Sequence, residues 1–403
     1  MFGDIKIMLK IRAIGLCSLA ALPLQVHNIE TMPVRNNEEI KITKLRYTVM
    51  ADELTFLFKS GTDGYNTFRI PAIITTRQGT VIAFAEGRKS SSSDAGDIDL
   101  VMKRSEDGGK TWGDLKVIWD AGGNTCGNPS PVVDRSTGDI FLLSTWNLGT
   151  DREPDIIKGT SKDTRRVFVL ISTDDGKTWA EPRDITAFVK PDNWTWYATG
   201  PCHGIQIENK RHRGRLIIPC DHIESGTEKY YSHIIFSDDH GKTWNLGGIT
   251  PKDKVNECTV AELRNGRLML NMRNYDRSKH CRMISLSDDG GMTWSTIFPD
   301  SALVEPICQG SLLGFPVKGR IGVSLLFVNP ADENQRRNLT LRQSFDNGRT
   351  WSGTWVIHRG PAAYSDLTVL RGGIVGCLYE AGSSSPYEGI AFKKVVVSKM
   401  AGK

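Results

Sequence analysis

The sequence predicts an all-β repeat fold, a β-propeller, on three observations. The pattern Ser-x-Asp-x-Gly-x-Thr-Trp occurs five times, starting at Ser105, Ser172, Ser237, Ser287 and Ser344. The starts are 67, 65, 50 and 57 residues apart, the length of one four-stranded propeller blade plus insertions. Gly is abundant, 40 of 403 residues, while long stretches of helical period are scarce, which favours turns and strands over helices.

Along the chain, the first element is not part of the repeat. Lys6, Lys10 and Arg12 precede an apolar run from Ala13 to Val26. A basic segment followed by so short an apolar run reads as a signal peptide over residues 1–27, with a short buried helix as the rival; it is too short to span a bilayer comfortably. Export to the periplasm or the medium is therefore expected, without stable membrane insertion. Residues 28–55 read as a polar lead-in and residues 56–403 as the propeller domain. The formal charge is +5, and losing residues 1–27 with their three basic residues and Asp4 leaves about +3 by the same count. That excess suits an acidic small substrate and is too weak for a nucleic-acid partner. A monomer is expected.

Each repeat has a local logic. Strand-like runs precede the copies, at 99–103, 167–171, 232–236, 282–286 and 339–342. The Asp and Gly then supply a turn, because an Asp carboxylate bonds nearby backbone N–H groups and Gly accepts dihedrals closed to other residues. Thr restarts a strand and Trp packs between blades. These five aspartates are read as scaffold. An EF-hand calcium loop does not fit, since its bidentate Glu is absent. The eight cysteines show no metal-binding spacing. They are read as mostly small buried residues, with one disulfide possible.

The residues between the repeats point to chemistry. Arg69 lies in Tyr65-Asn66-Thr67-Phe68-Arg69-Ile70-Pro71, Arg88 in Glu86-Gly87-Arg88, and Asp94 in Ser93-Asp94-Ala95-Gly96-Asp97. Glu257, Arg273, the Arg336-Arg337 pair, Tyr364 in Tyr364-Ser365-Asp366-Leu367, and Glu380 follow. On Phe-Arg-Ile-Pro together with five Asp boxes, residues 56–395 resemble the sialidase (exo-α-sialidase, neuraminidase) family, most nearly its small single-domain bacterial members. The resemblance implies a six-bladed propeller with its site at one end of the central channel. It also implies an exo-α-sialidase that releases terminal α-linked sialic acids from glycans with retention, and no metal or organic cofactor.

Carried over residue by residue, the resemblance makes Arg69, Arg273 and Arg336 the holders of the sugar carboxylate. Planar guanidinium groups suit that anion. Arg337 remains an alternative to Arg336, and Arg342 a weaker one. Asp94 matches the general acid/base, with Asp97 and Asp99 as rivals; to act as an acid its pKa should be raised by burial or by substrate. Tyr364 matches the nucleophile and Glu257 its base. A neutral phenol avoids the repulsion a carboxylate nucleophile would meet at a carbon already bearing a carboxylate, and an ordinary phenol pKa of about 10 makes the base necessary. Arg88 is expected on a ring hydroxyl and Glu380 behind Arg69. Gln309 is a candidate for the pocket wall without an assigned role.

Glu257 carries one difficulty. Asn265-Gly266 looks like a two-residue hairpin turn, which pairs Cys258 with Arg273 and Glu262 with Met269. Glu262 then shares the face of Arg273 but lies roughly 13 Å along it. Glu257 lies level with Arg273 on the opposite face, and a bulge or strand end near Cys258 would be needed to turn it inward.

Overall fold

A computed structural model describes residues 54–316 and 323–397. The segment read as a signal peptide, and the lead-in as far as residue 53, lie outside the described residues. Among those described, no helix is long and apolar enough to cross a membrane.

Among the described residues, the hydrogen-bond ladders sort into six four-stranded antiparallel meanders. The first holds Thr67–Thr75, Val81–Arg88, Ile98–Ser105 and Lys116–Trp119; the second, Thr125–Val133, Ile140–Asn147, Arg166–Ser172 and Arg183–Asp184. The third is built on Trp194–Thr199, Leu216–Glu224, Lys229–Ser237 and Asn245–Ile249, with Ile205–Gln206 beside Leu216–Glu224. The fourth holds Val255–Glu262, Leu268–Asn274, Cys281–Ser287 and Phe298–Val304. Strand Gly353–Leu370 is shared: its first half ends the fifth meander after Ser311–Pro316, Val323–Pro330 and Arg337–Ser344, and its second half begins the sixth. Ile374–Ala381 and Gly389–Val395 continue the sixth, and Phe56–Lys59 completes it. The ring thus closes by pairing the earliest described strand with the last.

The core is divided in the same way. Six apolar clusters each join two successive meanders. Phe84 and Ile82 of the first meet Leu142 and Leu170 of the second; Val132 and Leu143 of the second meet Ile218 and Ile235 of the third. Later junctions join third to fourth, fourth to fifth and fifth to sixth. Phe58, Leu378 and Ile390 of the sixth meet Phe68 and Ile73 of the first. Inner strands read as near-continuous buried runs, as in Thr67–Thr75 and Thr125–Val133, because both their faces are covered. This is a β-propeller.

The repeated motif closes each hairpin at the outer end of the third strand. Asp107 Oδ1 accepts from the Lys110 and Thr111 amides, each 2.9 Å away, Asp107 Oδ2 accepts from the Thr111 hydroxyl at 2.7 Å, and Ser105 Oγ accepts from the Gly109 amide at 2.8 Å. The same core of bonds recurs at Asp174, Asp239, Asp289 and Asp346. The Thr111 amide and hydroxyl hold the Asp107 carboxyl well below its ordinary range, the mark of an aspartate spent on a turn. Each motif also grips the preceding meander. Trp179 packs edge-on against Phe84 at 5.8 Å and Trp244 against Phe141 at 6.1 Å.

The motif glycines have positive φ and lie against that same neighbour. A Cβ on Gly241 (φ +74°) would stand 2.1 Å from the Phe141 ring. Gly241→Ala is expected to destabilise the fold by about 2–5 kcal/mol, combining left-handed strain with overpacking. Chemical denaturation checks this, and a loss below about 0.5 kcal/mol would refute the packing argument. All seven cysteines among the described residues are buried and none is bridged.

Candidate active site

Five inner strands carry one extra residue at the same end of the ring. The register slips between Arg69 and Ala72, Gly127 and Ser130, Trp194 and Tyr197, Val255 and Cys258, and Ala362 and Ser365. A bulge re-aims the side chains beside it. The second residue inside each slip is Pro71, Pro129, Trp196, Glu257 and Tyr364 in turn. Glu257 and Tyr364 therefore hold equivalent places in the fourth and sixth meanders, and this answers the difficulty over Glu257. The predicted pairing is corrected by one residue: Cys258 faces Met272 and Glu262 faces Leu268. The cause is a three-residue turn, Arg264-Asn265-Gly266, in place of a two-residue one. The Gly266 amide bonds Leu263 O, the Leu263 amide bonds Arg267 O, and Gly266 has φ +77°, a type I turn followed by a left-handed glycine.

The side chains converge as follows. The Tyr364 hydroxyl donates to Glu257 Oε1 at 2.5 Å and accepts from Arg273 Nη1 at 3.0 Å. Arg273 Nη1 also meets Glu257 Oε2 at 2.6 Å. The Arg69 and Arg336 guanidinium carbons stand 5.3 and 5.5 Å from the centre of the Tyr364 ring. Arg336 donates to the Tyr387 hydroxyl at 2.9 Å and to Ile307 O at 3.3 Å. Its neighbour Arg337 is exposed and pairs with Asp332, and Arg342 bonds Asn329, so Arg336 is the one gathered with Tyr364. Burial and the Glu257 carboxylate push the Tyr364 phenol well above its ordinary pKa, against the opposing pull of Arg273 and Arg336. It is therefore neutral near pH 7.

Glu380 is fully buried behind this group. Its Oε1 accepts from Arg69 Nε at 2.7 Å and from the Ile70 amide at 2.9 Å, and its Oε2 accepts from the Tyr364 amide at 3.1 Å. One carboxylate thus ties the Arg69 bulge to the Tyr364 bulge. Gln309 is also buried; its Oε1 accepts from the Ser365 amide and its Nε2 donates to Pro201 O and Ser365 O, so it braces the Tyr364 strand.

Asp94 sits apart on its Ser-rich loop, its side chain 64% exposed. Arg88 Nη1 meets its Oδ1 at 2.7 Å. Enclosure raises the Asp94 pKa, but Arg88, Arg69 and Arg165 outweigh it and the net shift is downward; of the two routes to a raised value, burial and substrate, only substrate remains. Arg88 is 2% exposed, with Nε and Nη2 on Glu86 and Nη1 shared between Ser92 O and Asp94. Its guanidinium is thus held between Glu86 and Asp94. The rivals Asp97 and Asp99 both pair with Lys89, and Asp99 also accepts from Tyr65.

Sequence reasoning missed several aromatic and charged residues near this group. Trp196 lies over the buried Arg165 guanidinium at 4.1 Å. Arg165 bonds Asn147 and Asn128, and Glu153 is held up in pKa by burial nearby. Tyr230 and Tyr275 stack at 5.0 Å beside Arg273. No local motif marks these residues. Only the repeated bulge places Trp196 on a par with Glu257 and Tyr364.

Fold and site together define a class: a propeller that gathers three arginines around a tyrosine–carboxylate pair. The comparisons narrow it. Residues 79–377 match the BNR repeat-like domain. The chain is 33% identical to a sialidase of Micromonospora viridifaciens over 81% of its own length and 52% of that protein's. It is 32% identical to a Bacteroides fragilis sialidase over 84% of its own length and 64% of the relative's. Among solved structures, the Hadza microbial sialidase Hz136 superposes with a TM-score of 0.76 at 30% identity, covering 85% of this chain and 68% of that one. The chain belongs to the sialidase family. It spans between half and two thirds of the length of the two bacterial relatives it matches.

Proposed function

We propose that this chain is an exo-α-sialidase that hydrolyses terminal α-linked sialic acids of glycoproteins, glycolipids or oligosaccharides with retention. The observation that carries the reading is the Tyr364–Glu257–Arg273 contact beside Arg69 and Arg336. The three guanidinium groups hold the substrate carboxylate. Glu257 takes the phenol proton as Tyr364 Oη bonds to the anomeric carbon, while Asp94 gives its proton to the departing glycosidic oxygen. Asp94, now anionic, draws a proton from water, whose oxygen displaces Tyr364, and Glu257 returns the phenol proton. Arg88 positions Asp94. Export is part of the proposal, since residues 1–27 have the pattern of a signal peptide.

The test is release of free sialic acid from α2,3-, α2,6- and α2,8-linked sialosides, with the first-formed anomer followed by proton NMR. The expected product is the α-anomer. Release of the β-anomer first, or of an anhydro-sugar, would overturn the retaining hydrolysis; release from no sialoside would overturn the reading as a whole.

A further inference from the structure

We propose that Asp366, which no step of the reaction above uses, is the positioning residue that sets where Tyr364 stands relative to Glu257. The inference rests on the sialidase reading for its kinetic test, but its geometry does not depend on that reading. Asp366 follows Tyr364 by two residues on the same inner strand and is wholly buried. Its Oδ2 accepts from the Ile73 amide of the first meander at 2.9 Å and from the His203 amide at 3.0 Å. Its Oδ1 accepts from the Ser311 hydroxyl of the fifth meander at 2.7 Å, lies 2.7 Å from His203 Nδ1, and accepts from its own neighbour, the Leu367 amide, at 2.9 Å. His203 belongs to the third meander, between Trp194–Thr199 and Ile205–Gln206. One side chain of the sixth meander is thereby fastened to the first, third and fifth.

This matters because the reacting pair spans the ring. Tyr364 comes from the sixth meander and Glu257 from the fourth, with the fifth between them. Their 2.5 Å contact therefore depends on how the inner strands are spaced around the channel, and a ladder within either meander cannot set that spacing. Glu380 and Gln309 fix the Tyr364 and Ser365 amides; Asp366 fixes the strand sideways to three other meanders at once. A buried carboxylate with this many donors is highly directional, because each donor left unmet would be costly. Replacing it with Asn turns one acceptor into a donor facing donors, so the strand must shift.

The test compares Asp366→Asn, Ser311→Ala and Tyr364→Phe with the parent chain. For Asp366→Asn, kcat on an aryl sialoside is expected to fall roughly 10²-fold, the order of loss that follows from a 1 Å misplacement. KM should stay within about threefold, because Arg69, Arg273 and Arg336 are untouched. Ser311→Ala removes one of the donors and keeps the charge, so a smaller fall of kcat, about three- to tenfold, is expected at unchanged KM. In the Tyr364→Phe background, Asp366→Asn should cost nothing further in kcat, since the group it positions is gone.

A crystal structure of Asp366→Asn should show the Tyr364–Glu257 contact opened past about 3.2 Å, the limit of an ordinary hydrogen bond, with Arg69–Glu380 intact. Unchanged kcat per folded molecule in both Asp366→Asn and Ser311→Ala, or an equal loss in the Tyr364→Phe background, would overturn the proposal. If Asp366→Asn does not fold, Ser311→Ala and its structure decide alone: a normal kcat with an unmoved Tyr364 overturns it. Absence of sialidase activity in the parent would sink the proposed function, while the crystallographic distance would still judge this one.

Discussion

Tyr364→Phe is expected to lower kcat on an aryl sialoside about 10³-fold or more, a barrier increase of roughly 4 kcal/mol. The substitution removes one oxygen and little else. The ring packs against Ile70, Cys308 and Ala363, contacts that Phe retains. Glu257 keeps its 2.6 Å partner Arg273, so no carboxylate is stranded. The arginines proposed to bind the substrate stay in place, and KM should move little, the signature of an interaction made only on the way to the transition state. Mass spectrometry gives an independent check: the peptide holding residue 364 should carry a sialyl adduct in the parent after trapping with a fluorinated sialoside, and none in the variant. Turnover within about threefold of the parent would remove Tyr364 from its assigned role.

The second large effect is expected at Asp94, and it should depend on the leaving group. Asp94→Asn is expected to cut kcat/KM by about 10²- to 10⁴-fold for a sugar leaving group, which must depart with a proton. A nitrophenol departs without one, so its loss in kcat/KM, which reports the first step, should stay below about tenfold, while kcat falls for both because Asp94 also activates the water of the second step. The pH dependence has a definite sign. In the free site Arg88, Arg69 and Arg165 hold the carboxyl below its ordinary range despite its partial enclosure, so it is ionised near neutral pH and cannot donate. A bound sugar carboxylate cancels the arginine field and adds an anion nearby; both changes raise the pKa. The alkaline fall of kcat, which reports the complex, should therefore come at higher pH than that of kcat/KM, which reports the free enzyme. Coincident limbs, or equal losses in kcat/KM for both leaving groups, would contradict the assignment.

What could be read in the sequence divides along a physical line. The five Asp boxes were legible because each is a closed local network, with Asp107 bonding residues three and four positions on. The gathered residues Arg69, Arg273 and Tyr364 were legible through their motif context. Arg336 was favoured over Arg337 from the sequence, and the fold turns the first toward Tyr387 and the second toward Asp332. The bulges were illegible apart from the one argued at Glu257, since an extra residue in a strand shows only against its partner strand. Trp196, Arg165 and the pinning of Asp366 were hidden for the same reason. The pairing of Arg88 with Glu86 and Asp94 was likewise hidden, because sequence does not report that its guanidinium is 2% exposed.

The joining of the first and sixth meanders has a consequence in time. Arg69 and the carboxylate that holds it are 311 residues apart, and the strand that completes the sixth meander, Phe56–Lys59, is made before every other described strand. A ribosome making this chain releases Arg69 long before Glu380 exists. Until then neither the arginine nor the edge of Phe56–Lys59 has its eventual partner. The gathered site appears only with the last meander, so a partly made chain, however many blades it has folded, lacks it.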